Sequence, residues 1–392
     1  MPFDPFLAEK LYLLEGITWK DAESDPEAAA RLARYFQDPA EWTMPEVTVE
    51  ELSVDGPHGP IPVRTYRPRQ TPTAALLWVH GGGFWAGDLD MPEAHTVSAE
   101  LAARAGAFVA SVGYRLAVNG VRYPVPLDDV EAAWRWLAEK AIADRLMLGG
   151  ASAGAALALA AALRARDSHR DRDQGGDRDW DRDRDSDSGR VQGGDRDWDR
   201  DRDSDSGRVQ GGDRDWDRDR DSDSGRVQGG DRDWDRDRDS DSGRVQGGDR
   251  DRGHRPADLL LLAYPFAHFP NPALDDAFAA EMAALPATLR FPVASIEAMV
   301  GNYVGRISDL PPDALPGAAR LDGLPPTRIL LSEYDDLRPS GELLERQLRE
   351  AGVPVGSYTA RGMPHGHLNR TPSLDGVDAS LDFFAAAIRT GE

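Results

Sequence analysis

The chain has 392 residues, 40% of them hydrophobic, with a formal net charge of −23 and no cysteine. Without cysteine there are no disulfides, no thiolate nucleophile and no cysteine-ligated metal. So acidic a chain, lacking any basic stripe, is also a poor nucleic-acid binder.

The N-terminus, MPFDPFLAEKLYLLEG, carries Asp4 and a single early lysine, Lys10, and has no apolar run with a small-residue cleavage site. It predicts no secretory signal, and no later window reaches the roughly eighteen apolar residues of a membrane span. A cytoplasmic chain is expected. Helical spacing of Leu7, Leu11 and Leu14, then of Leu32 and Phe36, predicts two short amphipathic helices within residues 1–40. Alternation at Val47 and Val49, and again at Ile61 and Val63, brackets the turn-rich DGPHGP of Asp55–Pro60 and predicts a hairpin. From there, short apolar runs alternate with helical patterns. The runs are Ala74–Val79, Ala107–Val112, Arg145–Leu148, Asp258–Tyr264 and Arg328–Ser332; helices carry Val130, Trp134 and Leu137, and later Ser340–Ala351. Such alternation predicts a doubly wound, mostly parallel sheet.

One segment breaks the rhythm. Between Asp167 and Arg255 the unit DRDWDRDRDSDSGRVQGG occurs four times, starting at Asp177, Asp195, Asp213 and Asp231. Each unit offers only Trp and Val to a core, too little to offset chain entropy, so 167–255 is expected to be a disordered, solvated insertion. Its acidic stretches lack the glycine and glutamate positions of an EF-hand, and nearby arginines oppose calcium. Setting it aside leaves roughly 300 residues for one domain in two parts, 1–166 and 256–392.

In doubly wound sheets, chemistry sits in the loops beyond the carboxyl ends of the strands. After Leu148 comes GGASAG, with Ser152 among small residues and a helix following at once. A serine on a strand-to-helix turn needs strained backbone angles to hold Oγ clear, and Gly150 and Gly154 remove side chains that would collide. Ser152 is the expected nucleophile. The N–H of Ala153 at the helix start, with those of Gly82 and Gly83 in His80-Gly81-Gly82-Gly83, is expected to form an oxyanion hole. A serine hydroxyl needs a base and the base needs an orienting acid, and His365 and Asp335 fit, in the order serine, acid, histidine. Phe84 and Trp85 beside the oxyanion loop are expected to border the substrate pocket. Asp128 and Asp129 read as capping and dipole-satisfying acids at a helix start.

The motifs HGGGFWAGD (80–88), YRLA (114–117) followed by YPVPLDDVEAAWRWL (123–137), GASAG (150–154) and EYDDLRPSG (333–341) resemble those of the hormone-sensitive-lipase-like carboxylesterases of the α/β-hydrolase fold. The resemblance covers essentially all of the chain outside the repeats. It implies Asp335 as the acid rather than Asp336 or Glu333, and His365 as the base rather than His367. It also implies a helical cap built from the N-terminal helices and from roughly 275–306. Ala151 stands where the family commonly has Asp or Thr, Gly113 where it has Asp, Val118-Asn119-Gly120 where it has Pro-Glu, and His367 where it has Phe. The expected function is hydrolysis of small carboxylic esters through an acyl-enzyme, with no metal or cofactor. An amide or formamide hydrolase on the same residues, or a non-catalytic small-molecule receptor of the same fold, are the alternatives. A homodimer stands as an open option.

Overall fold

A computed structural model describes residues 3–175 and 255–391. The expected hairpin forms as β1 (Val47–Gly56) and β2 (Gly59–Pro68), antiparallel and closed by the Gly56–Gly59 turn. The apolar runs become β3 (Ala74–Val79), β4 (Phe108–Val112), β5 (Arg145–Ala151), β6 (Leu259–Ala263) and β7 (Thr327–Tyr334), and a last strand, β8 (Val355–Pro364), completes the sheet. The spatial order is β1-β2-β4-β3-β5-β6-β7-β8, and every pair from β4 to β8 is parallel. Because side chains alternate across a strand, Ala75, Leu77 and Val79 enter the core on one face while Ala74, Leu76 and Trp78 enter the core on the other.

Helices cover both faces. On one lie α4 (Pro92–Ala105) and α10 (Asp375–Thr390); on the other lie α5 (Val125–Lys140), α6 (Ala153–Gly175) and α9 (Arg338–Glu350). The roof segments are α1 (Pro5–Ala8), a 3-10 turn over Leu11–Leu14, α2 (Trp19–Ser24) and α3 (Pro26–Tyr35), with α7 (Asp276–Ala283) and α8 (Val293–Val304) from the later stretch. The single helix expected over Phe6–Leu14 is thus two short pieces, which bury Leu7, Leu13 and Leu14. Trp19 Nε1 donates to the carbonyl of Thr288 at 3.0 Å and ties the two roof segments together.

The boundary expected at Arg166 moves. α6 continues to Gly175, because Arg166 Nη1 donates to the carbonyls of Arg320 (2.6 Å) and Asp322 (2.9 Å), and Arg170 Nη2 to the Asp322 carbonyl (2.9 Å). At the other end, the Arg255 carbonyl accepts from Trp134 Nε1 at 3.1 Å, so Arg255 belongs with the sheet domain. The rest of the expected insertion, 176–254, lies outside the described residues. Among the described residues, no helix is long and apolar enough to cross a membrane.

Candidate active site

Ser152 sits between the end of β5 and the start of α6 with φ at 53°, a left-handed conformation that a non-glycine residue adopts only when its surroundings enforce it. Its N–H donates to the carbonyl of Ala263 at 2.9 Å, which anchors the turn to the neighbouring strand. A Cβ on Gly150 would lie 2.5 Å from the carbonyl oxygen of Gly154, so the turn closes only on glycine there.

The loops after β7 and β8 deliver the partners. His365 Nε2 lies 2.9 Å from Ser152 Oγ, and His365 Nδ1 lies 2.7 Å from Asp335 Oδ2. An ionised carboxylate can only accept, so Nδ1 carries the proton and Nε2 presents its lone pair to the serine hydroxyl. Asp335 is buried, and its other oxygen accepts the N–H of Leu337 at 2.7 Å, which holds the acid in place. Burial alone pulls the His365 imidazole down, but the Asp335 carboxylate, by charge and hydrogen bond, with Glu93 and Asp336 behind it, holds it above its usual value. This arrangement can take a proton from a serine and keep the resulting imidazolium in place.

The loop after β3 supplies backbone donors. Gly82 and Gly83 have φ of 101° and 62°, and a Cβ on Gly82 would lie 2.0 Å from the Ala86 carbonyl oxygen. Tyr114 Oη donates to the carbonyls of His80 and Gly81, at 3.1 Å each, fixing the loop from below. The Gly81 N–H is taken by Glu93 Oε2 at 2.7 Å, whereas no hydrogen bond engages the N–H groups of Gly82 and Gly83 among the described residues. Ala153, as the first residue of α6, has an N–H outside the helix's own ladder.

The neighbours weighed against Asp335 and His365 have other partners. Asp336 accepts from Arg290 Nε (2.8 Å) and Nη2 (3.1 Å) and from the N–H of Phe291 (2.7 Å). Glu333 accepts the Gly362 N–H at 2.7 Å and pairs with Arg361 at 2.9 Å. His367 is buried between the hydroxyls of Ser332 and Ser380, each 2.9 Å away, and burial, with the charge of His365, pushes its imidazole down to about 3. Neither Asp128 nor Asp129 caps α5, although Asp128 lies in its first turn as a dipole-satisfying acid would. Asp129 is buried against the Arg115 N–H (2.9 Å) and guanidinium, and Asp128 pairs with Arg164 (2.9 Å) and His58 (2.9 Å), because basic partners from elsewhere in the fold reach them.

The pocket border is only partly as expected. Trp85 is exposed, but Phe84 is wholly buried and stacks on Tyr303 of α8 with ring centroids 4.0 Å apart and planes within 3°. It fixes the loop after β3 against α8 and is closed off from solvent. Open volume lies instead on the histidine side: a cavity of about 720 Å³ bordered by Phe269, Leu274, Ile296 and Ile307, with the Arg290–Asp336 ion pair in its wall. Phe291 lines this cavity, and its ring packs edge-on to His365 with centroids 4.8 Å apart. Phe291, Glu93 and Tyr264, another ring lying edge-on to His365 (centroids 4.8 Å), carried no sequence signal that separated them from ordinary core and helix-start residues.

Set beside known proteins, residues 76–174 and 248–369 match a family model described as the alpha/beta hydrolase fold. Esterase LipI of Mycobacterium tuberculosis (strain ATCC 25618 / H37Rv) is 38% identical over 168 residues, which are 40% of this chain and 49% of that protein. Ethyl acetate hydrolase of Pseudomonas putida is 46% identical over 107 residues, 25% of this chain and 33% of that protein. The chain therefore spans about half the length, or less, of these curated relatives. Among solved structures, a bacterial heroin esterase is similar with a TM-score of 0.63 and 23% identity over 99% of both chains. A hyperthermophilic esterase from the archaeon Pyrobaculum calidifontis is similar with a TM-score of 0.64 and 23% identity, covering 100% of this chain and 99% of that one. At that identity the two structures share the fold.

Proposed function

Because the chain belongs to the α/β-hydrolase fold family, of which its motifs resemble the hormone-sensitive-lipase-like branch, we propose that it is a serine carboxylesterase acting on small carboxylic esters through an acyl-enzyme. The observation that carries this reading is the hydrogen-bonded line from Asp335 through His365 to Ser152, set beside the Gly82 and Gly83 N–H groups, which have no partner among the described residues. The chain's similarity to an esterase and to an ethyl acetate hydrolase supports it.

Ser152 Oγ attacks the ester carbonyl carbon while His365 Nε2 takes the hydroxyl proton, and Asp335 holds the imidazolium. The carbonyl oxygen, now an oxyanion, accepts from the N–H groups of Gly82, Gly83 and Ala153. Collapse breaks the bond to the alcohol oxygen, and His365 returns the proton to the leaving alcohol. Water then attacks the acyl-serine with His365 again as base, releasing the carboxylic acid and restoring the serine. The cavity of about 720 Å³ bordered by Phe291, whose ring packs against His365, is the proposed place for an organic group of the ester, and acyl chains of roughly two to eight carbons are the proposed substrates.

The test is a burst of p-nitrophenolate from p-nitrophenyl acetate, followed by a panel of acyl chain lengths. Ser152→Ala should lower kcat by about a thousandfold or more with an unchanged circular dichroism spectrum. Faster turnover of an amide than of any ester would make the protein an amide hydrolase on the same residues. Ester binding without turnover would make it a receptor.

A further inference from the structure

The buried carboxylate of Glu93 joins loops that the reaction needs in register. It lies in the first turn of α4, buried, and both of its oxygens accept hydrogen bonds. Oε2 accepts the Gly81 N–H of the oxyanion loop at 2.7 Å. Oε1 accepts from Tyr264 Oη and from Asn369 Nδ2, the latter at 3.3 Å. Tyr264 follows β6 with φ at 34°, and its ring lies edge-on to that of His365. Asn369 belongs to the loop that carries His365, and its Oδ1 accepts from the Glu93 N–H at 3.3 Å. On the backbone side, Trp78 Nε1 donates to the Glu93 carbonyl at 2.8 Å, so the start of α4 is pinned to β3.

We propose that Glu93 is a positioning residue for this reaction, its carboxylate clamping the oxyanion loop at Gly81 to the Tyr264 and Asn369 side chains that flank the histidine. The proposal rests on the esterase reading above. Two physical effects follow. First, the clamp fixes where the Gly82 and Gly83 donors stand relative to Ser152; a Cβ on Gly81 would lie 2.5 Å from Glu93 Oε2 and 3.2 Å from Ser152 Cβ, so loop, clamp and nucleophile are in mutual contact. Second, in its ionised form the carboxylate favours the imidazolium. The groups around His365 are Asp335 and Asp336 of the loop after β7, the latter paired with Arg290, then Tyr264 after β6, His367 of its own loop and Glu93 of α4. Of these, Asp335 is the larger influence and Glu93 the next. Burial pushes the Glu93 carboxyl above the usual range, and the donors from Tyr264, Gly81 and Asn369 act against that, toward the ionised form.

Glu93→Gln tests it, because the amide keeps the size and removes the charge. With p-nitrophenyl acetate, kcat should fall about tenfold or more, as expected for misplaced oxyanion donors, while KM stays within about threefold. The acid limb of kcat/KM, and the midpoint of the His365 Cε1 proton resonance, should move to lower pH by about half a unit or more. A residue that only packs would not move that midpoint. Either an unchanged kcat or an unchanged midpoint in the folded variant overturns the proposal while leaving the esterase reading in place; a wild-type chain without ester turnover overturns both. Where Glu93→Gln does not fold, Tyr264→Phe decides, since it removes one donor to Oε1 and keeps the ring against His365. A kcat within about threefold of wild type for that variant overturns the proposal, and a larger loss supports it.

Discussion

A Cβ on Gly154 would lie 2.2 Å from the carbonyl oxygen of Val79, so the first turn of α6 rests directly on the end of β3. The same Cβ would lie 2.3 Å from the His80 carbonyl oxygen. The serine turn and the oxyanion loop are therefore assembled against each other through a surface that has room for a hydrogen and no more. Gly154→Ala must push α6 away from β3, since backbone carbonyls cannot rotate aside as a flexible side chain would. The expected cost is about 1–3 kcal/mol of stability, typical of overpacking, together with at least a tenfold loss of kcat as Ser152 moves away from the donors. Thermal melting and esterase kinetics on one preparation check both; an alanine variant with wild-type kcat would mean that this contact does not set the geometry.

Adjacent acids separate function from scaffolding. Asp335 faces His365 Nδ1 at 2.7 Å, whereas Asp336 turns the other way to Arg290 and the Phe291 N–H. Asp335→Asn offers an amide that can donate to Nδ1, which favours the tautomer with the proton on Nε2 and no lone pair for the serine; kcat should fall by about 10³–10⁴-fold with the fold retained. Asp336→Asn removes the charge that holds Arg290 and loosens the wall of the cavity, so KM and thermal stability should change more than kcat. Equal losses of kcat in the two variants would place the acid's role at the wrong residue.

What could be read from the residues beforehand divides by the range of the interactions involved. Ala74–Val79 was legible because a strand buried on both faces needs nothing but apolar side chains, and every residue of it is buried. Ser152 was legible because its strained turn demands small neighbours close in sequence. Asp335 and His365 could be matched to their roles by order, but their choice over Asp336 and His367 needed a family pattern, since nothing local tells a carboxylate facing Nδ1 from one facing a guanidinium. Long-range pairing left no such trace. Phe84 reads as a pocket residue until Tyr303 is stacked on it, and Glu93 reads as a helix-start acid until Gly81, Tyr264 and Asn369 meet it. Arg170 falls in what reads as a charged tract, yet the turn at 320–322 holds it in a helix.

Histidines with opposite environments give the protein a pH response in both activity and stability. His365 is held above its usual 6.5, chiefly by Asp335 working against burial, so the acid limb of kcat/KM should have its midpoint above 6.5, where the base becomes neutral. In stability the fold binds that proton more tightly than the unfolded chain does; this contribution is full below about 6.5 and is lost as pH rises through the raised value. His80 and His367 have the reverse sign. Burial lowers His80 to about 4, and burial with the nearby His365 lowers His367 to about 3, so as pH falls below 6.5 the unfolded chain takes up protons that the fold refuses. Stability should therefore decline from about pH 6 toward pH 4, with the melting temperature dropping before Ser152 and His365 lose their order. Melting curves between pH 4 and 8 that stay flat would show that neither His80 nor His367 is held neutral in the fold.

The described end of α6 lies far from Ser152. α6 begins beside Ser152 and runs without a break to Gly175, which at about 1.5 Å per residue carries the chain roughly 33 Å from the nucleophile. Its last turns are held by Arg166 and Arg170 at the 320–322 turn, and the chain is tied to the sheet again at Arg255 and at Asp258, whose carboxylate accepts the Leu146 N–H at 2.7 Å. Both attachments are made by residues that a deletion of 177–253 leaves in place. Closing a loop costs only about 0.6 kcal/mol for each doubling of its length, so replacing that segment by a flexible Gly-Ser linker of about twenty residues should change stability little and leave kcat/KM within about threefold. A deletion extended back to Asp167 should behave differently, because it removes Arg170 and the helical turns that brace 320–322; its melting temperature should fall while Ser152 remains reactive. Purifying both deletions beside the full chain, and measuring p-nitrophenyl acetate hydrolysis and melting with and without calcium, tests the two expectations together. A tenfold loss of activity in the shorter deletion, or a calcium-dependent rise in melting temperature confined to the full chain, would make the repeats a working part of the protein.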